Sequence, residues 1–172
     1  MVTLPGRTGG GVCHDPAMST APEPTADVYL VVGYDGSEPA ARALDAAVRL
    51  LRGRNGRIDV VYVGHVPSID MMSADALVEV EASFDDIAKE LRAQAEEQLR
   101  GREDRWQFER GGGEITEITD ALIAKARQIS EAHPDDNVAI VVGSSSHAVH
   151  RMVGSVAVGL ARRSPVPVVV VP

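Results

Sequence analysis

Aromatic side chains make up only 3% of this 172-residue chain: one tryptophan, two phenylalanines and three tyrosines. Its core must therefore be filled by valine, isoleucine, leucine and alanine, the composition of buried parallel strands covered by alanine-rich helices. Cysteine is nearly missing as well. Cys13 stands alone, which excludes an intrachain disulfide framework and a cysteine-rich metal site, and it reads as an incidental thiol. No apolar run approaches the ~20 residues that a membrane-spanning helix needs. The first residues carry no apolar core of a secretory signal, so a cytoplasmic setting is expected, with no membrane partner. Positive charge is in deficit: 17 Lys and Arg face 25 Asp and Glu, a net charge of −8. That balance argues against nucleic acid or an anionic membrane as partner, both of which require basic patches.

At this length one domain with one core suffices. Residues 1–26, rich in Gly, Pro, Ser and Thr, are expected to form a disordered N-terminal tail, because such a composition buries too little surface to offset its ordering entropy. Residues 27–172 then form the domain. Residues 28–34 are short, apolar and β-branched, which predicts a buried strand. Asp35-Gly36-Ser37 breaks it, with Ser37 placed to cap a helix and Pro39 tolerable in its first turn. That helix runs to about Leu51 with Ala41, Leu44, Ala47, Val48 and Leu51 on one face. A second strand spans 58–63. A second helix spans about 76–99, with a stripe of Phe84, Ile87, Leu91, Ala95 and Leu99, and its acidic opposite face reads as solvated surface. Residues 106–109 alternate apolar and polar, which suits a strand towards an edge. The Gly111-Gly112-Gly113 turn leads to a third helix carrying Ile115, Ile118, Leu122, Ile123, Ala126 and Ile129, ended by Pro134-Asp135-Asp136. The apolar run 138–142 predicts a central fourth strand. A Ser- and His-rich loop follows, then a short helix opened by Gly154-Ser155, and a fifth strand over 166–171. Strands alternating with helices imply an α/β fold: a single-domain, doubly wound, five-stranded parallel sheet with helices on both faces. Such sheets bind ligands beyond the carboxyl ends of their strands, where strand order reverses. The loops beginning at Asp35, Gly64 and Gly143 are the candidates.

Two nucleotide signatures are missing: the Gly-x4-Gly-Lys-Ser/Thr phosphate loop, and Gly-x-Gly-x-x-Gly after the first strand. What the chain does contain is a strand running into Gly143-Ser144-Ser145-Ser146, then a helix start at Gly154-Ser155-Val156. Helix N-termini expose unpaired N–H groups and partial positive charge, which suits phosphate, although the pair reads equally as an ordinary helix start. Asp35 could orient a ribose or bind a metal-linked phosphate, or it could simply hold an Asx turn. Val63, read in isolation, is core. Two other chemistries are disfavoured. Gly143-Ser144-Ser145 resembles part of a nucleophile elbow, but His147 stands where the closing glycine belongs. His147 and His150 alone do not complete a zinc site, so no metal ligand and no catalytic residue is assigned.

The run Val31-Val32-Gly33-Tyr34-Asp35-Gly36-Ser37 before an alanine-rich helix resembles the first strand and turn of universal stress proteins. Gly143 and the Gly154-Ser155 pair are similar to the family's late glycine signature, and Ser164-Pro165 with the valine run to Val171 is similar to its last strand. The second signature glycine is replaced by Ser146, and the loop is two residues shorter than the family pattern. The resemblance covers about residues 27–172. It implies a Rossmann-like, adenine-nucleotide-hydrolase-like fold and a stress-linked regulatory protein with little or no catalysis, which binds ATP or ADP, with or without Mg2+. It implies an adenosine site at Asp35 and Val63, with phosphates held by Gly143, Gly154 and Ser155 beside Val156. The rest of the loop, Ser144, Ser146, His147 and Arg151, offers further phosphate contacts. It also implies a homodimer through the C-terminal strand. The alternative is a nucleotide-independent dimeric interaction module of the same fold.

Overall fold

Strand and helix alternate throughout the computed structural model, which describes residues 26–64, 73–102, 105–111, 118–144 and 155–172. The elements are β1 (Val28–Gly33), α1 (Glu38–Leu50), β2 (Gly56–Val63), α2 (Ala74–Gln98), β3 (Trp106–Gly111), α3 (Ile118–Ala132), β4 (Asn137–Gly143), α4 (Ser155–Arg163) and β5 (Val168–Val171). All strand pairings are parallel, and the order is β3-β2-β1-β4-β5. This is the doubly wound sheet that the alternation predicts. β3 lies at one edge, as its mixed pattern requires, and β4 lies inside between β1 and β5. The 1–25 part of the expected tail, Cys13, Ile115, the 112–113 turn and the loop 145–154 lie outside the described residues.

Successive strand residues point to opposite faces, so the apolar strands feed two cores. Val28, Leu30, Val32, Ile58 and Val60 pack with Ala43, Leu44 and Ala47 of α1 and with Leu91 and Ala95 of α2. On the other face Val31, Val61, Ile140 and Val142 pack with Leu122, Ala126 and Ile129 of α3 and Leu160 of α4. No helix among the described residues is long and apolar enough to cross a membrane.

Local signals hold well at the start of α1. Ser37 is extended, and its hydroxyl accepts from the Ala40 N–H at 3.3 Å, with Pro39 in the first turn. Three expectations shift. The buried face of α1 is Ala40, Ala43, Leu44, Ala47 and Leu51, and Ala41 and Val48 are only half-buried. In α2, Ile87 is 42% exposed and Ala88 is buried in its place. The small Ala88 side chain lets the helix lie close to the first core, and an isoleucine there would hold it away. β5 begins at Val168, not 166, because Pro167 has no N–H to extend the ladder.

Asp59 interrupts the apolar run of β2 and is 1% exposed. Its carboxylate accepts from Arg57 Nε at 3.1 Å and from the Gln107 amide, with Lys125 Nζ 3.7 Å away. A buried charge needs such partners, and here each comes from a side chain on β2, β3 or α3.

Candidate functional site

Strand order reverses between β1 and β4, so the connections from these strands leave in opposite directions and open a crevice. A cleft of about 290 Å3 lies there. Because every strand is parallel, the helices that follow β1, β3 and β4 start at the same edge of the sheet. Pro39 and Ala40 of α1, Ile118 of α3, and Val156 and Ala157 of α4 all line the cleft. The first turns of three helices therefore border one space, each at the end with partial positive charge. At α1 that end is already capped, since Pro39 has no N–H and the Ala40 N–H goes to Ser37. The walls are mostly apolar, with Val61, Val63, Leu122 and Val142, and Ser37, Tyr34 and Tyr62 add hydroxyl-bearing side chains. Asp35 is the one charged residue among the described lining.

Of the residues singled out in the sequence, Asp35, Val63, Gly143 and Val156 line this one cleft. Asp35 is exposed at the mouth, and one of its oxygens accepts from the Ser37 N–H at 3.0 Å. The Asx turn thus exists, and it aims the carboxylate across the carboxyl end of β1. Val63 is 8% exposed, core and lining at once. Gly143 is at the end of β4, and a Cβ there would lie 2.3 Å from the Pro39 carbonyl oxygen. The missing side chain thus makes room for the first turn of α1. The Ser144 N–H donates to the Val171 carbonyl at 2.7 Å and so extends the sheet. Ser146, His147, Arg151 and Gly154 lie outside the described residues, and Ser155 begins α4.

Sequence reading assigned Ile118 and Leu122 only to a core face of helix 3 and did not place Tyr34 or Tyr62 at a site, yet all four line the cleft. The signal was positional: each is close to the end of a strand or the start of a helix at the binding edge. Burial raises the Tyr34 hydroxyl above its ordinary pKa, and the neighbouring Asp35 charge adds to the effect.

The model of the universal stress protein family matches residues 30–172. The chain belongs to that family. It is 30% identical over 146 residues to the universal stress protein YxiE of Bacillus subtilis, covering 83% of this chain and 97% of that protein. Among solved structures, UspA from Lactobacillus plantarum superposes with a TM-score of 0.63 at 20% identity, over 87% of this chain and all of that one. A universal stress protein crystallised in complex with cAMP superposes with a TM-score of 0.52 at 26% identity, over 86% of this chain and 99% of that one. The cleft of this universal stress protein is sparse in titratable groups among its described lining. Its described lining holds no His, Lys, Arg or Cys, and Asp35 is the only carboxylate there.

Proposed function

We propose that this universal stress protein binds an adenine nucleotide in the cleft between β1 and β4 and acts as a non-enzymatic regulatory homodimer. One observation carries the reading: the first turns of three helices and a single carboxylate border a mostly apolar slot at the point where strand order reverses. An apolar slot takes a base, a carboxylate accepts from ribose hydroxyls, and helix N-termini take phosphates. The similar protein crystallised with cAMP supports the same class of ligand. In this reading Asp35 and Val63 contact the adenosine, and Val156 closes the slot beside them. Gly154 and Ser155 meet the phosphates of ATP or ADP, with Ser144, Ser146, His147 and Arg151 as further contacts. Mg2+ would accompany a triphosphate. Asp35 is the only carboxylate in the described lining and no His or Lys stands beside it as a general base, so turnover is expected to be slow or nil.

The alternative is a nucleotide-independent interaction module. It is favoured by two internal uses of signature residues: Gly143 makes room for Pro39, and the Ser144 N–H pairs with Val171. Calorimetric titration of the purified protein with ATP, AMP and cAMP decides between the two. At least one should bind, and Val156→Trp should weaken it at least tenfold by overfilling the slot. Failure of all three to bind, or unchanged affinity in the folded variant, would favour the interaction module.

Dimerisation is assigned to β5. This strand is an edge, and Val170 exposes 39% of its surface there. An open apolar edge is a template for pairing with a second copy. Light scattering should report twice the 18.2 kDa chain mass, and Val170→Lys should halve it. A native protein that scatters as a monomer at tens of micromolar would remove the dimer.

A further inference from the structure

A second, larger recess of about 880 Å3 lies at the opposite end of the sheet, where the strands begin. Its origin is chemical. β4 begins at Asn137, but β5 joins it only at Val168, opposite Ile140. The Ile140 N–H donates to the Pro167 carbonyl at 2.9 Å. Alternate residues of a strand face the same neighbour, so Val138 turns its own N–H and C=O to that side too. The next ladder donor to the Val138 carbonyl would be residue 167, a proline with no N–H. The ladder stops there, and the start of β4 borders open space.

The floor of the recess is apolar, formed by Val28, Leu30, Ala139 and Val169 on the α1 side of the sheet. Leu50, in the last turn of α1, stands at one rim and is 38% exposed. Arg54 stands on the same rim. Other arginines at this end are engaged: Arg57 with Asp59, Arg100 with Glu97, and Arg105 with the Arg54 and Gly56 carbonyls. The exposed Arg54 guanidinium has no side-chain partner among the described residues, and neither have Arg49 and Arg52 beside it. On the facing rim Asp136 is committed. One oxygen accepts from the Asp27 N–H at 2.9 Å, and the other lies 3.5 Å from His133 Nδ1. The recess thus offers an apolar floor and, at Arg54, one cation without a side-chain partner among the described residues, with the hydrogen-bonded Asp136 carboxylate on the opposite rim.

We infer that this recess binds a small amphipathic carboxylic acid, with its alkyl body on Val28, Leu30 and Val169 and its carboxylate at Arg54. The site is separate from the nucleotide cleft and does not depend on it.

Octanoate is a suitable probe, with octanol as its uncharged counterpart, titrated into full-length 15N-labelled protein. Octanoate should shift the amide resonances of Val28, Leu30, Ala139 and Val169 saturably, with a dissociation constant of about 1 mM or below. Arg54→Gln should weaken octanoate about fourfold, the size of a partly exposed ion pair, and leave octanol unchanged. Leu50→Glu, which places a like charge at the rim of a folded protein, should weaken octanoate about tenfold. Octanol binding as tightly as octanoate, or insensitivity to Arg54→Gln, would overturn the anionic class. Shifts spread over the surface, or none at the floor because a second copy or residues 1–25 cover it, would overturn the site.

Discussion

Gly143→Ala is expected to cost about 3 kcal/mol of folding stability, the upper range for overpacking a filled core. The added Cβ would lie 2.3 Å from the Pro39 carbonyl oxygen, 2.4 Å from its carbon and 2.7 Å from the Pro39 Cβ. Two of these atoms are backbone, so no rotamer change relieves the clash. The first turn of α1 would have to move, but it is held by the Ser37 cap and by Ala40, Ala43 and Leu44 in the core. The melting temperature should fall by about 6–12 °C for a chain of this size. Gly53→Ala makes the control. Gly53 has a φ of +72° with nothing within 4 Å of the new Cβ, so only left-handed strain of about 1–2 kcal/mol is added. Urea unfolding of both variants checks the comparison. A Gly143→Ala protein as stable as its parent, but with weakened nucleotide affinity, would return this glycine to the role of a phosphate approach.

Alkaline pH should unfold the protein cooperatively, at the point where its tyrosines ionise. All three, Tyr29, Tyr34 and Tyr62, are buried and have raised pKa values, and desolvation is the largest cause for each. The charges of Asp136 and Asp27 add to the shift at Tyr29, and that of Asp35 adds at Tyr34. At Tyr62 the Arg110 guanidinium works the other way. A folded-state pKa above the unfolded value near 10 means that the native state holds its phenolic protons longer than the unfolded chain. The stabilisation is complete below pH ~10 and is lost as pH rises from there through the folded values. Each group removes up to about 1.4 kcal/mol per pH unit over its own interval. Tyrosinate absorbance and loss of helical circular dichroism should therefore rise together above pH 10. Absorbance that titrates near 10 with the circular dichroism intact would show the phenols to be solvated. Asp35→Asn should let Tyr34 ionise at lower pH, since a like charge beside it is gone.

The candidate site was legible to the extent that it depends on chain order. Asp35 and Gly143 end the β1 and β4 regions, Val63 ends β2 and Val156 lies in the first turn of α4. In a parallel sheet such positions fall at one edge whatever the packing, so a linear reading brings them together. The roles of individual groups were less legible. Gly143 reads as a glycine left small for phosphate, and the atom it avoids is the Pro39 carbonyl, 104 residues earlier in the chain. Ser144 reads as a phosphate contact, and its N–H is spent on Val171.

Composition and period alone determined the fold class, the core made of valine, leucine, isoleucine and alanine, the Ser37 cap and the edge position of β3. These rest on interactions within a few residues, or on an alternation that any parallel sheet imposes. Tertiary structure decided what depends on a distant neighbour. Ala88 faces the core and Ile87 faces water because two adjacent ridges of α2 have similar apolar content, and only contact with the sheet chooses between them. β5 starts at Val168, and the recess lies beside it, because the next ladder position opposite Val138 falls to Pro167, which has no proton to give. A sequence displays that proline, but not the carbonyl it fails to satisfy.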